Sequence, residues 1–176
     1  MNLDKIKLTR ITKDDIELIR EWRNDDRIRK YMHYRDYISK EMQIQWFESI
    51  NNDKNIFNLV WYDEQKIGLM NIKNINWEEK NGEVGLFIYS EEFQNSFLPY
   101  IITIRSFYSF FDELGMLCLY AHILKTNKRA IRFNKSLGFQ LEPGQNEVEN
   151  QLYVLTRDKF LSKVEHLEKI IEKSVD

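Results

Sequence analysis

Six glycines and two prolines are all the chain breakers that this 176-residue sequence contains, and no Gly-, Pro- or Ser-rich stretch separates one part from another. A chain so poor in flexible connections has to run from one regular element directly into the next. We find no linker, internal repeat or low-complexity tract, and we expect one domain over residues 1–176, a length that buries a sizeable core unaided. Apolar residues at 43% and charged residues at 31% exclude a disordered chain. The net charge of −2 gives no concentrated basic surface, so nucleic acid and anionic membrane are not expected partners. The N-terminal MNLDKIKLTR has no apolar signal-peptide core, and no run approaches the roughly 20 apolar residues of a membrane span, so a cytoplasmic location is expected. The lone Cys118 sits in an apolar run and reads as a buried core thiol. Three His and one Cys show no metal-ligand spacing.

Periodicity divides the chain into β-α-α-β-β-β-α-β-α-β-β-α. Lys5 to Ile11 reads as a strand. Thr12 with Asp15 three residues on is a capping signal for a helix that turns Ile16, Ile19 and Trp22 to one side. Ser39 caps a second helix on which Met42, Trp46, Phe47 and Ile50 recur at helical spacing. Phe57 to Tyr62, Ile67 to Ile72 and Glu83 to Tyr89 are short runs rich in β-branched and aromatic residues and read as an antiparallel meander. Leu98 to Leu114 is a helix closed by Gly115, and Leu117 to Leu124 a strand. Asn127 to Leu137 is a helix with Ala130 inward and Gly138 at its end. Phe139 to Leu141 and Gln151 to Thr156 are strands around an acidic loop. A last helix from Asp158 to about Lys173 repeats Phe160, Val164, Leu167 and Ile171, a stripe that packs on its own domain, with a homodimer contact as the alternative.

The segment Asp112 to Phe139, DELGMLCLYAHILKTNKRAIRFNKSLGF, resembles the second half of the core of the GNAT superfamily of N-acetyltransferases. Its strand ends in Thr126-Asn127, followed by Ala130 and then Leu137-Gly138-Phe139. Leu8-Thr9-Arg10-Ile11, Glu21-Trp22-Arg23-Asn24, Tyr31-Met32, Trp46-Phe47, Ile67-Gly68 and Glu83-Val84-Gly85-Leu86 extend the resemblance over nearly the whole chain. The helix carrying Glu-Trp-Arg-Asn, with Met32 downstream, looks most like enzymes that acetylate nucleotide-linked amino sugars, the pseudaminic acid group among them; those acetylating ribosomal proteins carry similar residues. The resemblance implies an α/β (α+β) fold, a mixed central sheet of about seven strands flanked by helices, with the C-terminal helix as an extra. It also implies that the fourth and fifth strands splay, so that the arm of acetyl-CoA lies along the sheet edge. It places Leu86, Phe87 and Ile88 at the acetyl group and Asn127 on the pantetheine arm, with Arg129, Ala130 and Asn134 on the same helix. Trp22, Arg23, Asn24 and Met32 fall on the side of the acceptor, a small-molecule amine or a protein N-terminus.

Two positions depart from the family pattern. The turn before the long helix is Gln94-Asn95-Ser96-Phe97-Leu98-Pro99, which keeps the Gln and lacks the glycines that let backbone N–H groups approach a pyrophosphate. Phe97 adds bulk there, and Pro99 removes one donor. Asn134 stands where the family often has a Tyr that protonates the leaving thiolate, a task that an amide cannot perform. These departures keep a fold-retaining scaffold without catalysis as the second reading. Lys128, Arg129, Arg132 and Lys135 either grip phosphates in place of the glycines or form a solvated face. Glu83 is the first candidate for the base and His33 the second. His122 and His166 read as structural.

Overall fold

A computed structural model describes residues 3–175, with the side chains of 4–173. Thr12 and Asp15 cap each other reciprocally around a 3₁₀ turn, Lys13–Asp15, which leads into α1, Ile16–Asn24. Ile16, Ile19 and Trp22 are buried along α1 as their spacing requires. A one-turn helix α2, Asp26–Arg29, follows; its single buried residue, Ile28, is too short a signal for periodicity to detect. In α3, Lys40–Ile50, the Ser39 hydroxyl accepts the Met42 N–H as a cap should. Met42 itself is exposed, and Gln43 takes the buried position instead.

Seven strands build one sheet in the order β1-β2-β3-β4-β5-β7-β6: β1 (Ile6–Arg10), β2 (Ile56–Tyr62), β3 (Gln65–Asn76), β4 (Asn81–Ile88), β5 (Cys118–Leu124), β6 (Gln140–Leu141) and β7 (Asn150–Thr156). Every pairing is antiparallel except that of β4 with β5. β3 runs four residues past the expected Ile72, because Asn74 enters the left-handed region at φ 52° and the strand continues beyond the irregularity to pair Asn76 with Asn81. The β2–β3 turn is Asp63-Glu64, both at positive φ (48° and 65°), the conformation that matches the twist of a two-residue hairpin. An ion pair from Lys5 to Asp63 at 2.6 Å ties it to the start of β1.

The two faces of the sheet are covered differently. On one, a core of Met70, Ile72, Val84, Leu98, Phe107, Phe110, Phe111, Phe139 and Phe160 packs under α5 (Leu98–Tyr108) and α7 (Arg157–Val175). The long helix does not continue as an α-helix to Leu114. It widens into a π-helical turn over Ser109–Glu113, with the Leu114 N–H reaching back five residues to the Ser109 carbonyl, and this lets the neighbours Phe110 and Phe111 both point inward. Phe160, Val164 and Ile171 of α7 are buried here, so the C-terminal stripe is consumed within the chain. On the opposite face Trp22, Phe57, Leu59 and Leu69 form a smaller cluster, with Trp46, Phe47 and Phe87 packed against it. α4 (Glu91–Gln94) and α6 (Lys128–Ser136) border the gap between β4 and β5. Cys118 is half-buried rather than enclosed in the core.

Candidate active site

Pairing between β4 and β5 covers only Asn81 with Cys118, Gly82 with Leu119 and Glu83 with Tyr120. Beyond Glu83 the strands part. The Tyr89 N–H donates to the Ile67 carbonyl at 2.7 Å, and strand alternation then turns the backbone groups of Phe87 and Gly85 toward β3 and those of Leu86 and Ile88 into the gap. The Ile88 carbonyl accepts a 2.8 Å bond from Gln94 Nε2, in keeping with that direction. Of the three residues expected at the acetyl group, Leu86 and Ile88 therefore present their backbones to the gap. Phe87 does not: its ring packs edge-on against Trp22, 6.1 Å between centroids.

At the fork stands Glu83. Its side chain is only 15% exposed, and its Oε1 lies 3.3 Å from both Lys73 Nζ and His122 Nδ1. Asn74 Nδ2 donates to the other oxygen at 3.2 Å. Tyr120 sits beside His122, the two rings perpendicular with centroids 6.0 Å apart; burial, and then the Glu83 charge, push its hydroxyl pKa up. From here a cavity of about 360 Å³ opens over β5, β7 and β6, lined by Asn81, Cys118, Tyr120, His122, Glu142, Leu152 and Val154. His122, read from the sequence as structural, thus lines this cavity beside Glu83. Leu119, Ala121 and Ile123 belong to the core, so alternation alone sends Tyr120 and His122 to the opposite face. What the sequence could not supply was the register that sets them beside Glu83. His33, in contrast, is exposed on the loop between α2 and α3, without a hydrogen bond or ion pair among the described residues.

The four residues expected on the acceptor side divide. Trp22 is enclosed, stacked on Tyr89 at 5.3 Å, and supports the floor instead of lining a groove. Asn24 clamps the loop, its amide donating to the Ile38 carbonyl and accepting the Ile38 N–H. Met32 is half-buried in that loop. Arg23 is half-buried and its Nε has no partner among the described residues, and burial pushes its pKa down. Asn71 Nδ2, on the same face, is also buried without a partner; its amide lies where a Cβ on Gly85 would collide at 3.0 Å.

The turn before α5 has largely satisfied itself. Ser96 Oγ accepts the Leu98 N–H at 3.1 Å, Pro99 has no N–H, and Leu98 is fully buried in the core. Phe97 packs against the main core, and Asn95 is exposed at the end of α4. Gln94 Oε1 accepts from Arg129 Nη1 at 3.2 Å, and Arg129 Nη2 also reaches the Gln94 carbonyl. Two expected cofactor contacts thus bridge the mouth of the gap to each other. Asn127 caps α6 through Oδ1, which accepts the Ala130 N–H at 3.1 Å, and its Nδ2 has no partner among the described residues. Ala130 packs inward. Asn134 turns its amide back to the Ala130 carbonyl at 2.9 Å.

A family model described as an acetyltransferase (GNAT) domain matches residues 8–152. The chain belongs to the GNAT acetyltransferase family. This GNAT chain is 28% identical to Acetyltransferase PseH of Campylobacter jejuni over 141 residues, 76% of this chain and 82% of the relative. It is 24% identical to an uncharacterised protein of Methanocaldococcus jannaschii, of which it spans only 28% while 77% of its own length is matched. Among solved structures, spermidine N-acetyltransferase of Vibrio cholerae in complex with CoA and spermine superposes with a TM-score of 0.77 at 20% identity, over 90% of this chain and 99% of the other. The crystal structure of C. jejuni PseH gives 0.64 at 22%, over 87% and 99%. The chain is an acyltransferase and its co-substrate is acetyl-CoA. Among the described residues no helix is long and apolar enough to cross a membrane, and no group of three His, Cys, Asp or Glu could hold a metal.

Proposed function

We propose that the chain transfers the acetyl group of acetyl-CoA to a primary amine on a nucleotide-linked amino sugar. The observation that carries the transfer is the fork after Glu83, where two strands part and the N–H groups of Leu86 and Ile88 point into the gap beside a half-buried carboxylate. The residues present suit the extended arm of the co-substrate. Its amides find donors and an acceptor along the β4 edge, and Asn127 keeps Nδ2 free to donate while Oδ1 holds the helix cap. Acetyl-CoA supplies a thioester carbonyl that a neutral amine attacks without a covalent enzyme step. The Leu86 and Ile88 N–H groups stabilise negative charge developing on an oxygen in the gap, usually the largest contribution to such a reaction. The Glu83 cluster removes a proton from the acceptor.

Arg23 and Asn71 argue for the acceptor class. A half-buried guanidinium and a buried amide, each with an unpartnered N–H, lack oxygen acceptors, and the phosphates and hydroxyls of a sugar nucleotide provide them. With Lys73 also on this face, a polycationic amine would add like charge. Release of free thiol from acetyl-CoA, followed with a UDP-linked 4-amino sugar, spermidine and an N-terminal peptide in turn, tests this. The sugar nucleotide should exceed the other two by at least about tenfold in kcat/KM, and Arg23→Ala should raise its KM about tenfold with kcat little changed. Preference for spermidine or the peptide would overturn the acceptor assignment.

A further inference from the structure

We infer that His122 is the general base of the reaction and that Glu83 acts through it as a positioning residue, an inference that rests on the acetyltransferase reading above. The two oxygens of Glu83 are already surrounded by Lys73 Nζ, His122 Nδ1 and Asn74 Nδ2 at 3.2 to 3.3 Å, and 15% of the side chain is exposed. An amine has little access to that carboxylate. His122 is more than twice as exposed, at 38%, and lines the cavity, and its Nε2 has no partner among the described residues.

A carboxylate facing Nδ1 selects the tautomer with the proton on Nδ1, which leaves the Nε2 lone pair free to take a proton. The same logic orients the imidazole in carboxylate–histidine catalytic pairs on unrelated folds. Each of the groups around the ring fits the role. Lys73 from β3 shares the Glu83 oxygen that His122 faces. Tyr120, from the same strand, stands at right angles and fixes the ring plane. Glu142 lines the same cavity.

The protons balance as follows. An ammonium acceptor gives one proton to His122 Nε2 and becomes the neutral amine. Its nitrogen lone pair then forms the C–N bond as the C–S bond breaks with its electron pair going to sulfur. The second proton of the nitrogen passes to that sulfur, giving the free thiol, and the third stays on the amide. His122 returns its proton to solvent, so each turnover releases one proton.

The test uses the full chain, acetyl-CoA and the UDP-linked 4-amino sugar. In the parent, kcat/KM should fall with unit slope on the acid side as the base takes up its proton. His122→Gln should lower turnover by about 10²- to 10⁴-fold, remove that limb, and leave acetyl-CoA affinity and melting temperature within error. In His122→Gly, added imidazole should restore part of the rate. A His122→Gln enzyme that keeps the acid limb and most of its turnover overturns the inference. ¹⁵N-histidine spectra of the parent give a second readout that needs no acceptor: His122 should carry its proton on Nδ1, and Glu83→Gln should redistribute it. A ring protonated on Nε2 overturns the pairing even in an active enzyme. A parent that binds acetyl-CoA and shows the Nδ1 tautomer but ignores the sugar nucleotide overturns the acceptor assignment alone, and the rate tests then run with the amine that is turned over.

Discussion

The two ends of the gap between β4 and β5 are built on opposite principles. At the fork, three side-chain nitrogens lie 3.2 to 3.3 Å from the Glu83 oxygens while the N–H groups of Leu86 and Ile88 point into the gap. At the turn before α5 the polar groups are spent on one another: Leu98 N–H on Ser96, Gln94 on Ile88, Arg129 on Gln94. The fork leaves backbone donors open, whereas the turn spends its polar groups on itself. A helix N-terminus binds phosphate only if its first N–H groups are left free, and here a hydroxyl and a proline have removed two of them. Phosphate binding should therefore come from α6, where Lys128, Arg132 and Lys135 are exposed and form no ion pair among the described residues.

The largest effect should come from the fork. Glu83→Gln is expected to lower turnover by about 10²-fold or more with acetyl-CoA affinity within about twofold, since the carboxylate acts through His122 on proton removal and not on the arm. A loss of affinity with turnover intact, measured by calorimetry beside steady-state rates, would put Glu83 in the path of the cofactor and erase the contrast. At the turn, the pair Phe97→Gly and Pro99→Ala should cost about 1 to 3 kcal/mol of stability through lost core packing without tightening CoA. Lys128→Ala with Arg132→Ala should weaken CoA about tenfold, near 1.4 kcal/mol. Tenfold tighter binding by the first pair would mean that Phe97 and Pro99 merely obstruct a working cradle.

The smallest effect tests whether the two ends are mechanically joined. Asp25 bonds Arg27 and accepts from the Tyr89 hydroxyl at 3.1 Å, where β4 leads into the turn. The Arg27 side chain, and then its backbone N–H, hold the Asp25 carboxyl well below the usual carboxylate range. A depressed carboxylate contributes stability that is present above its unfolded value, near 3.9, and is lost as pH falls through the lower folded value. Asp25→Asn should cost about 1 kcal/mol at neutral pH and make thermal unfolding less sensitive to acid below about pH 4, with turnover unchanged. A tenfold fall in turnover would show that the turn governs the fork.

Much of the fold was legible because its signals are local. Thr12 with Asp15, Ser39 and Asn127 announce helix starts through side chains that reach only three residues, and Gly115 and Gly138 close helices at positive φ. Gly138 is required twice over, since a Cβ there would meet the Lys159 carbonyl at 2.7 Å. The π-helical turn at Ser109–Glu113 and the extension of β3 escaped because neither interrupts a local pattern: Phe110 and Phe111 suit an α-helix as well, and Lys73-Asn74 reads as loop.

For the site, the sequence by itself showed which residues had chemistry to offer, Glu83 and Asn127 among them, while the family resemblance implied which strands should part. It also showed that the turn before α5 lacked the glycines of a phosphate cradle. Only the tertiary structure decided which of those residues meet. His122 joins Glu83 because the parallel register sets Tyr120 opposite Glu83, an alignment of strands more than thirty residues apart that no local periodicity encodes. His33 is left alone in its loop for the complementary reason. A side chain acquires a catalytic setting from the elements packed around it, and those are chosen by burial of the whole sheet, not by the residue's own neighbours in sequence.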